Sequence, residues 1–159
     1  MSIPFPLPDE AILARRDEIL SGLAPLLPPE ALITSEDERR AFETDAFTAY
    51  RHIPLAVALP TSTEEVSAVL RYCHEQGVKV VARGAGTSLS GGAIPQPDAI
   101  VLGLSKLNRI LDVNFPNRTA RVQAGVTNLS ITEASRRKAF SMRLIRPRNW
   151  PARLAAISA

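Results

Sequence analysis

Only one cysteine, Cys73, stands in the 159 residues, which excludes an internal disulfide. It falls on a segment of helical periodicity, where a buried, inert thiol is the expected state. No apolar run is long enough to span a bilayer. The opening residues, Met1-Ser2-Ile3-Pro4-Phe5-Pro6-Leu7-Pro8, lack a basic start and are broken by proline. They do not form a secretory signal, and the cytoplasm is the expected location. The two histidines, His52 and His74, have no ligand-spaced partners, so no metal centre is expected. Acidic residues are missing from Ser135 onward, where seven basic residues stand. The net charge of +3 therefore belongs wholly to the tail, because residues 1–134 carry 12 basic against 16 acidic side chains. That distribution argues against nucleic-acid binding by the body of the chain, and it marks a break in composition.

Glycine is scarce as well, and its placement is informative. Four of the eight glycines lie in Arg83-Gly84-Ala85-Gly86-Thr87-Ser88-Leu89-Ser90-Gly91-Gly92, directly after the strand-like Val78-Lys79-Val80-Val81-Ala82. Glycine permits positive φ and places no Cβ in the way, so successive amides can form a concave donor surface for an anion such as a nucleotide pyrophosphate. Two commoner phosphate loops lack their parts here. A Walker loop needs Lys and Ser/Thr after its last glycine, where Ala93-Ile94 stand. A Rossmann fingerprint needs a third glycine opening a helix, but Leu89 takes that place and Pro95 and Pro97 forbid the helix.

The remaining punctuation gives an order of elements. Asp9 to Leu27 reads as a helix capped by Asp9, with Ile12, Ile19, Leu20 and Leu23 near helical spacing. A second short helix runs from Ser35 toward Phe42, and Thr44 to Tyr50 reads as an ordered loop. Pro54 to Leu59 is an apolar strand closed by Pro60. Ser62 or Thr63 caps the next helix, whose stripe is Val66, Val69, Leu70 and Cys73 and whose end is Gly77. With Val78–Ala82 this makes a β-α-β unit with the glycine loop at the carboxyl end of its second strand, the edge where open α/β sheets bind ligands. Ala99–Leu104 is a third strand. Ile110–Val113 and Ala120–Ala124 alternate around Phe115-Pro116-Asn117-Arg118 as a hairpin, and a helix capped at Thr127 or Asn128 follows. The fold class expected is α+β.

This order, with Asp45-x-x-Thr48-x-Tyr50-Arg51, the Arg83–Gly92 loop, Leu104-Ser105-Lys106-Leu107-Asn108-Arg109-Ile110 and Val122-Gln123-Ala124-Gly125-Val126, resembles the FAD-binding domain of the vanillyl-alcohol-oxidase/PCMH-type flavoproteins. The branch that holds D-lactate dehydrogenase and the flavin-bearing polypeptide of glycolate oxidase is the most similar. The likeness covers roughly residues 35–134, the N-terminal part of such a domain, preceded by a helical segment over 1–34. It implies that amides of Arg83, Gly84, Ala85, Gly86, Thr87, Ser88, Leu89, Ser90 and Gly91 hold the FAD pyrophosphate, aided by the Thr87, Ser88 and Ser90 hydroxyls. It places Pro60 beside the adenine, and Gly125 and Val126 near the dinucleotide. Relatives with covalent flavin often carry histidine where Thr87 stands, so the resemblance implies non-covalent FAD. Asp45 and Tyr50 are expected to support the loop. The implied activity is oxidation of glycolate or D-lactate to the 2-oxo acid, with a hydride passing to the flavin and electrons leaving to a quinone, an iron–sulfur partner or other oxidase subunits. The parent enzyme is expected to be cytoplasmic or peripheral to the inner membrane. In the family the substrate arginines and catalytic histidine lie in a later cap domain, so no catalytic residue is named here and this chain alone is expected to be inactive.

The tail departs from the family, which places a second flavin motif close to GFFYAPDPSSQ after this helix. Residues 135–159, containing Arg136, Arg137, Lys138, Arg143 and Trp150, do not match it. Read two bases later, Met142-Arg143 with a CGN codon gives alanine, Asn149-Trp150 gives leucine and Trp150-Pro151 gives alanine, and the other codons permit the family motif. The expectation is therefore a frameshift near residue 135 and a disordered or weakly helical aberrant tail. Two other functions compete: a stand-alone nucleotide-binding module, and a protein whose basic tail binds nucleic acid or anionic membrane.

Overall fold

The computed structural model describes residues 6–136 and the backbone of Ser141–Met142 and Ile157–Ser158. Of the tail expected to be disordered or weakly helical from residue 135, Ser135 and Arg136 continue the preceding helix and those two segments pair as strands instead; the rest of that expectation falls outside the described residues. The chain forms two compact units, Met1–Gly103 and Leu104–Ala159.

In the first unit Asp9 caps α1 (Glu10–Ala14), its carboxylate accepting from the Ala11 amide at 2.9 Å. The helix read over Asp9–Leu27 is interrupted: Arg15 takes φ −94° and ψ 13°, and α2 restarts at Arg16–Leu23. Ile12, Ile19 and Leu23 are nevertheless all buried, as their spacing demands. Strand β1 (Leu32–Ile33) precedes α3 (Glu36–Arg39) and a 3₁₀ turn that ends at Phe42. Strand β2 (Ala56–Ala58) is entirely buried.

Helix α4 (Thr63–Gln76) is fixed at both ends by local chemistry. Ser62 Oγ accepts from the Glu65 amide at 3.1 Å, and the Glu65 carboxylate accepts from the Thr61 amide at 2.7 Å. Gly77 closes it in the left-handed conformation at φ +69°. Val69 and Cys73 are buried, but Leu70, read into the same stripe, is 44% exposed. One residue past Val69 is a rotation of about 100°, which carries Leu70 off the inner face. Gly22 lets α2 approach α4, because a Cβ there would overlap the Tyr72 hydroxyl.

Strands β3 (Lys79–Arg83) and β4 (Ala99–Gly103) complete a sheet of order β1-β2-β4-β3. β2, β4 and β3 are parallel, with Val57 opposite Val101 and Val101 opposite Val81, and β1 joins β2 antiparallel. The β2-α4-β3 unit is therefore split, with β4 inserted between its two strands. Covered on both faces, β4 is a continuous buried apolar run, as central parallel strands are. The parallel arrangement brings the carboxyl ends of β2, β3 and β4 to one edge, where Pro60 and the glycine loop emerge.

In the second unit β5 (Ile110–Asn114) and β6 (Thr119–Val122) form the expected hairpin, with Val113 opposite Ala120 and a bulge between Ile110 and Asp112. Its turn is held by the Arg118 amide on the Phe115 carbonyl at 3.2 Å and the Asn117 amide on Asn114 Oδ1 at 3.0 Å. Helix α5 (Asn128–Ser135) is capped by Thr127, whose Oγ1 accepts from the Ser130 amide at 3.2 Å. Ser141–Met142 (β7) pairs antiparallel with Ile157–Ser158 (β8). Parallel sheet, helices and separate antiparallel hairpin make the class α+β.

Candidate functional site: a loop of unpaired amides

The glycine loop leaves the end of β3 at Arg83. Gly86 and Gly91 take φ +69° and +74°, a region that L side chains rarely adopt. Gly84 is needed for neither reason: its φ is not positive, and a Cβ there would meet nothing within 4 Å. Its backbone simply lies bare. The amides of Ala85, Gly86, Thr87, Ser88 and Leu89 donate to no other described residue. At the far end, the amides of Ser90 and Gly92 both donate to Ser88 Oγ at 3.3 Å, which closes a small turn. Thr87, Leu89 and Ser90 are exposed.

The loop is braced from below by residues 44–47. Arg83 donates through Nη1 to the Thr44 carbonyl at 2.7 Å, and its guanidinium carbon lies 5.5 Å from the centroid of the Phe42 ring. A Cβ on Gly86 would collide with that guanidinium. Burial pushes the Arg83 pKa down while the nearby Asp45 charge pushes it up; a guanidinium stays cationic regardless. The Ala46 amide donates to the Gly86 carbonyl at 3.0 Å. Asp45, buried at 5% exposure, accepts from the Phe47 amide on Oδ1 at 2.8 Å and from the Ala93 amide on Oδ2 at 3.2 Å.

Of the residues read from the sequence, Arg83 to Gly91 form this loop, and Pro60 is buried at the end of the β2 segment on the same sheet edge. Gly125 and Val126 lie in the second unit. Their amides donate to the carbonyls of Leu107 at 2.8 Å and Gln123 at 3.1 Å. A Cβ on Gly125 would collide with the Leu104 carbonyl oxygen and lie 3.0 Å from those of Ser105 and Leu107. The close approach that demands glycine there is thus made by the chain's own turn. The sequence does not single out Thr44, whose carbonyl anchors Arg83, Ala46, whose amide holds the middle of the loop, or Ala93, whose amide meets Asp45; backbone donors and acceptors leave no mark on side-chain identity.

Nothing from Gly84 to Gly92 titrates near neutrality, so the loop can bind but cannot transfer protons. Five amides with no acceptor among the described residues, on a bare backbone beside a half-buried cation, suit the oxygens of a diphosphate. Among the described residues no group of three or more His, Cys, Asp or Glu is arranged to hold a metal. No described helix is long and apolar enough to cross a membrane.

Comparison with known proteins shows the family and the fold. Residues 54–145 match the family described as FAD binding domain. The glycolate oxidase subunit GlcD of Escherichia coli (strain K12) is 43% identical over 119 residues, 75% of this chain and 24% of that protein. The D-lactate dehydrogenase of Archaeoglobus fulgidus is 37% identical over 123 residues, 77% of this chain and 26% of its own length. Among solved structures, the 4-ethylphenol oxidase of Gulosibacter chungangensis superposes with a TM-score of 0.70 at 26% identity, covering 83% of this chain and 26% of that one. p-Cresol methylhydroxylase, at 21% identity and a TM-score of 0.70 over 82% of this chain and 26% of its own, shares the fold. The chain spans about a quarter of the length of the curated relatives it matches.

Proposed function

From the premise that the chain belongs to the FAD-binding-domain family, we propose that it is the cofactor-holding part of a flavin-dependent oxidoreductase of small 2-hydroxy acids, such as glycolate or D-lactate. The observation that carries this reading is the row of amides from Ala85 to Leu89, with no acceptor among the described residues, on a backbone that lies bare at Gly84. These amides would take the pyrophosphate oxygens, with the Thr87 hydroxyl beside them. Ser88 and Ser90 would shape the turn and offer hydroxyl protons, Gly91 would let it close, and Pro60 would border the adenine at the sheet edge.

When bound, FAD supplies the acceptor for the two electrons removed as a 2-hydroxy acid becomes a 2-oxo acid. This chain's contribution is placement and electrostatics. Residues 83–92 contain no histidine, cysteine or tyrosine, so this loop offers no side chain for covalent flavin attachment, which supports non-covalent FAD. In this reading residues 1–34 lead into a cofactor domain over 35–134, and 135–159 form a basic tail. The enzyme is cytoplasmic or peripheral to the inner membrane, and its electrons pass to a quinone, an iron–sulfur partner or a further oxidase subunit. The Escherichia coli relative is itself named a subunit, which supports such an assembly.

Titration of the purified chain with FAD tests the reading. The expected result is saturable quenching of flavin fluorescence, reversed by ADP competition, with all flavin released on heating. Absence of saturable quenching, or flavin that survives denaturation on the protein, overturns it.

A further inference from the structure

The carboxylate of Asp45 lies where charge alone would oppose the proposed ligand. It is buried under a loop whose free amides await an anion, and desolvated like charges repel strongly. Ionised, it has no proton to offer a phosphate, and its oxygens are turned to the chain's own amides: Phe47 on Oδ1 and Ala93 on Oδ2. Ala93 is the first residue past the glycine loop. The residues on either side of Asp45 hold the loop at two other points, Thr44 through Arg83 at the loop's start and Ala46 through the Gly86 carbonyl at its middle. Residues 44–46 therefore run as a splint fastened to the loop at its beginning, centre and end.

This arrangement answers a physical problem. A glycine-rich segment loses more conformational freedom on ordering than any other, so a donor surface made of it is poor unless something outside orders it beforehand. Ser88 Oγ closes only the far turn and leaves Gly84 to Thr87 to be fixed from outside the loop. We propose that Asp45 is a positioning residue for the cofactor: its two amide bonds fix the Thr44–Phe47 splint, and the splint holds the Ala85–Leu89 amides converged on one diphosphate. The Arg83 guanidinium, held in the same cluster, offsets the charge that Asp45 brings. This inference rests on the flavin reading for its ligand, but not for the ordering of the loop.

Charge and position make opposite predictions for Asp45→Asn. Removing a negative charge near a diphosphate tightens binding if electrostatics dominates. Removing one of the two accepting oxygens loosens the splint and weakens binding if positioning dominates. We expect the Kd for FAD to rise about tenfold, the effect of losing one charge-assisted hydrogen bond. We also expect NMR-detected amide exchange in the FAD-free chain to quicken about tenfold at Phe47, Ala93 and residues 85–92, while α4 amides stay unchanged, because the opening is local. Asp45→Glu restores the charge but moves the oxygens one methylene outward, so it should not rescue FAD binding. It also serves where the asparagine variant fails to fold. Tighter or unchanged FAD binding in the asparagine variant, rescue by glutamate, or unchanged exchange in the loop overturns the proposal. A parent chain that takes up no FAD defeats the flavin reading instead, and the exchange measurement then decides alone whether Asp45 orders the loop.

Discussion

Arg83 Nη1 donates to the Thr44 carbonyl oxygen at 2.7 Å, so the cation that ends β3 is engaged inside the protein. A diphosphate bound above would then be held mainly by neutral amide dipoles and only indirectly by this charge. Lysine keeps the charge but not the planar fork that reaches the carbonyl while lying over Phe42. Arg83→Lys and Arg83→Met are therefore both expected to weaken FAD by about tenfold, about 1.4 kcal/mol. The dependence of Kd on ionic strength should be the same in both variants and in the parent. A lysine variant that binds as the parent does, with a methionine variant of lower salt dependence, would place the guanidinium on the phosphate.

A second buried carboxylate makes stability depend on acid. Asp98, fully buried, accepts on Oδ2 from Lys79 Nζ at 2.7 Å and from the Asp9 amide at 2.8 Å, tying the start of α1 to the sheet. Burial pushes its carboxyl up, but the Lys79 and Asp9 hydrogen bonds and the lysine charge outweigh this and hold it below the usual 3.8. A depressed carboxyl contributes stability that is fully present above the unfolded value and lost as pH falls through the folded one. Unfolding free energy from urea titration should thus be flat near neutrality and decline below about pH 4. Asp98→Asn keeps one accepting oxygen but puts its NH2 where Oδ1 finds no partner among the described residues. It is expected to lose about 2 kcal/mol at pH 7, with the gap to the parent narrowing in acid. A gap that widens in acid would reverse the assigned sign.

What was legible in the sequence is what local chemistry decides. The Ser62 and Thr127 caps, the Gly77 stop, the hairpin around Phe115–Arg118 and the glycine loop each rest on residues a few positions apart. What was not legible is what distant pairs decide. Nothing near β4 announces that it enters between β2 and β3, and two-residue β1 is too short to show alternation. Asp98 and Asp9 are 89 positions apart, and Asp45 and Ala93 are 48 apart. The interruption at Arg15 leaves no proline or glycine to mark it. At Gly125 the motif marked the residue, but only the three crowding carbonyls supply the reason for it.

That difference between a glycine required by the fold and one required by a ligand can be measured. At Gly125 an added Cβ meets backbone oxygens of Leu104, Ser105 and Leu107, which cannot rotate away as a side chain would. Gly125→Ala is expected to destabilise the chain by about 3 kcal/mol, the upper range for overpacking. At Gly84 an added Cβ meets nothing within 4 Å and the φ is ordinary. Gly84→Ala should therefore leave stability within about 0.5 kcal/mol of the parent. If the diphosphate lies over this backbone, the added methyl group should weaken FAD binding. Paired urea melts and FAD titrations separate the two effects. A Gly84→Ala chain that melts like the parent and binds FAD equally well would show that the ligand does not approach the backbone there.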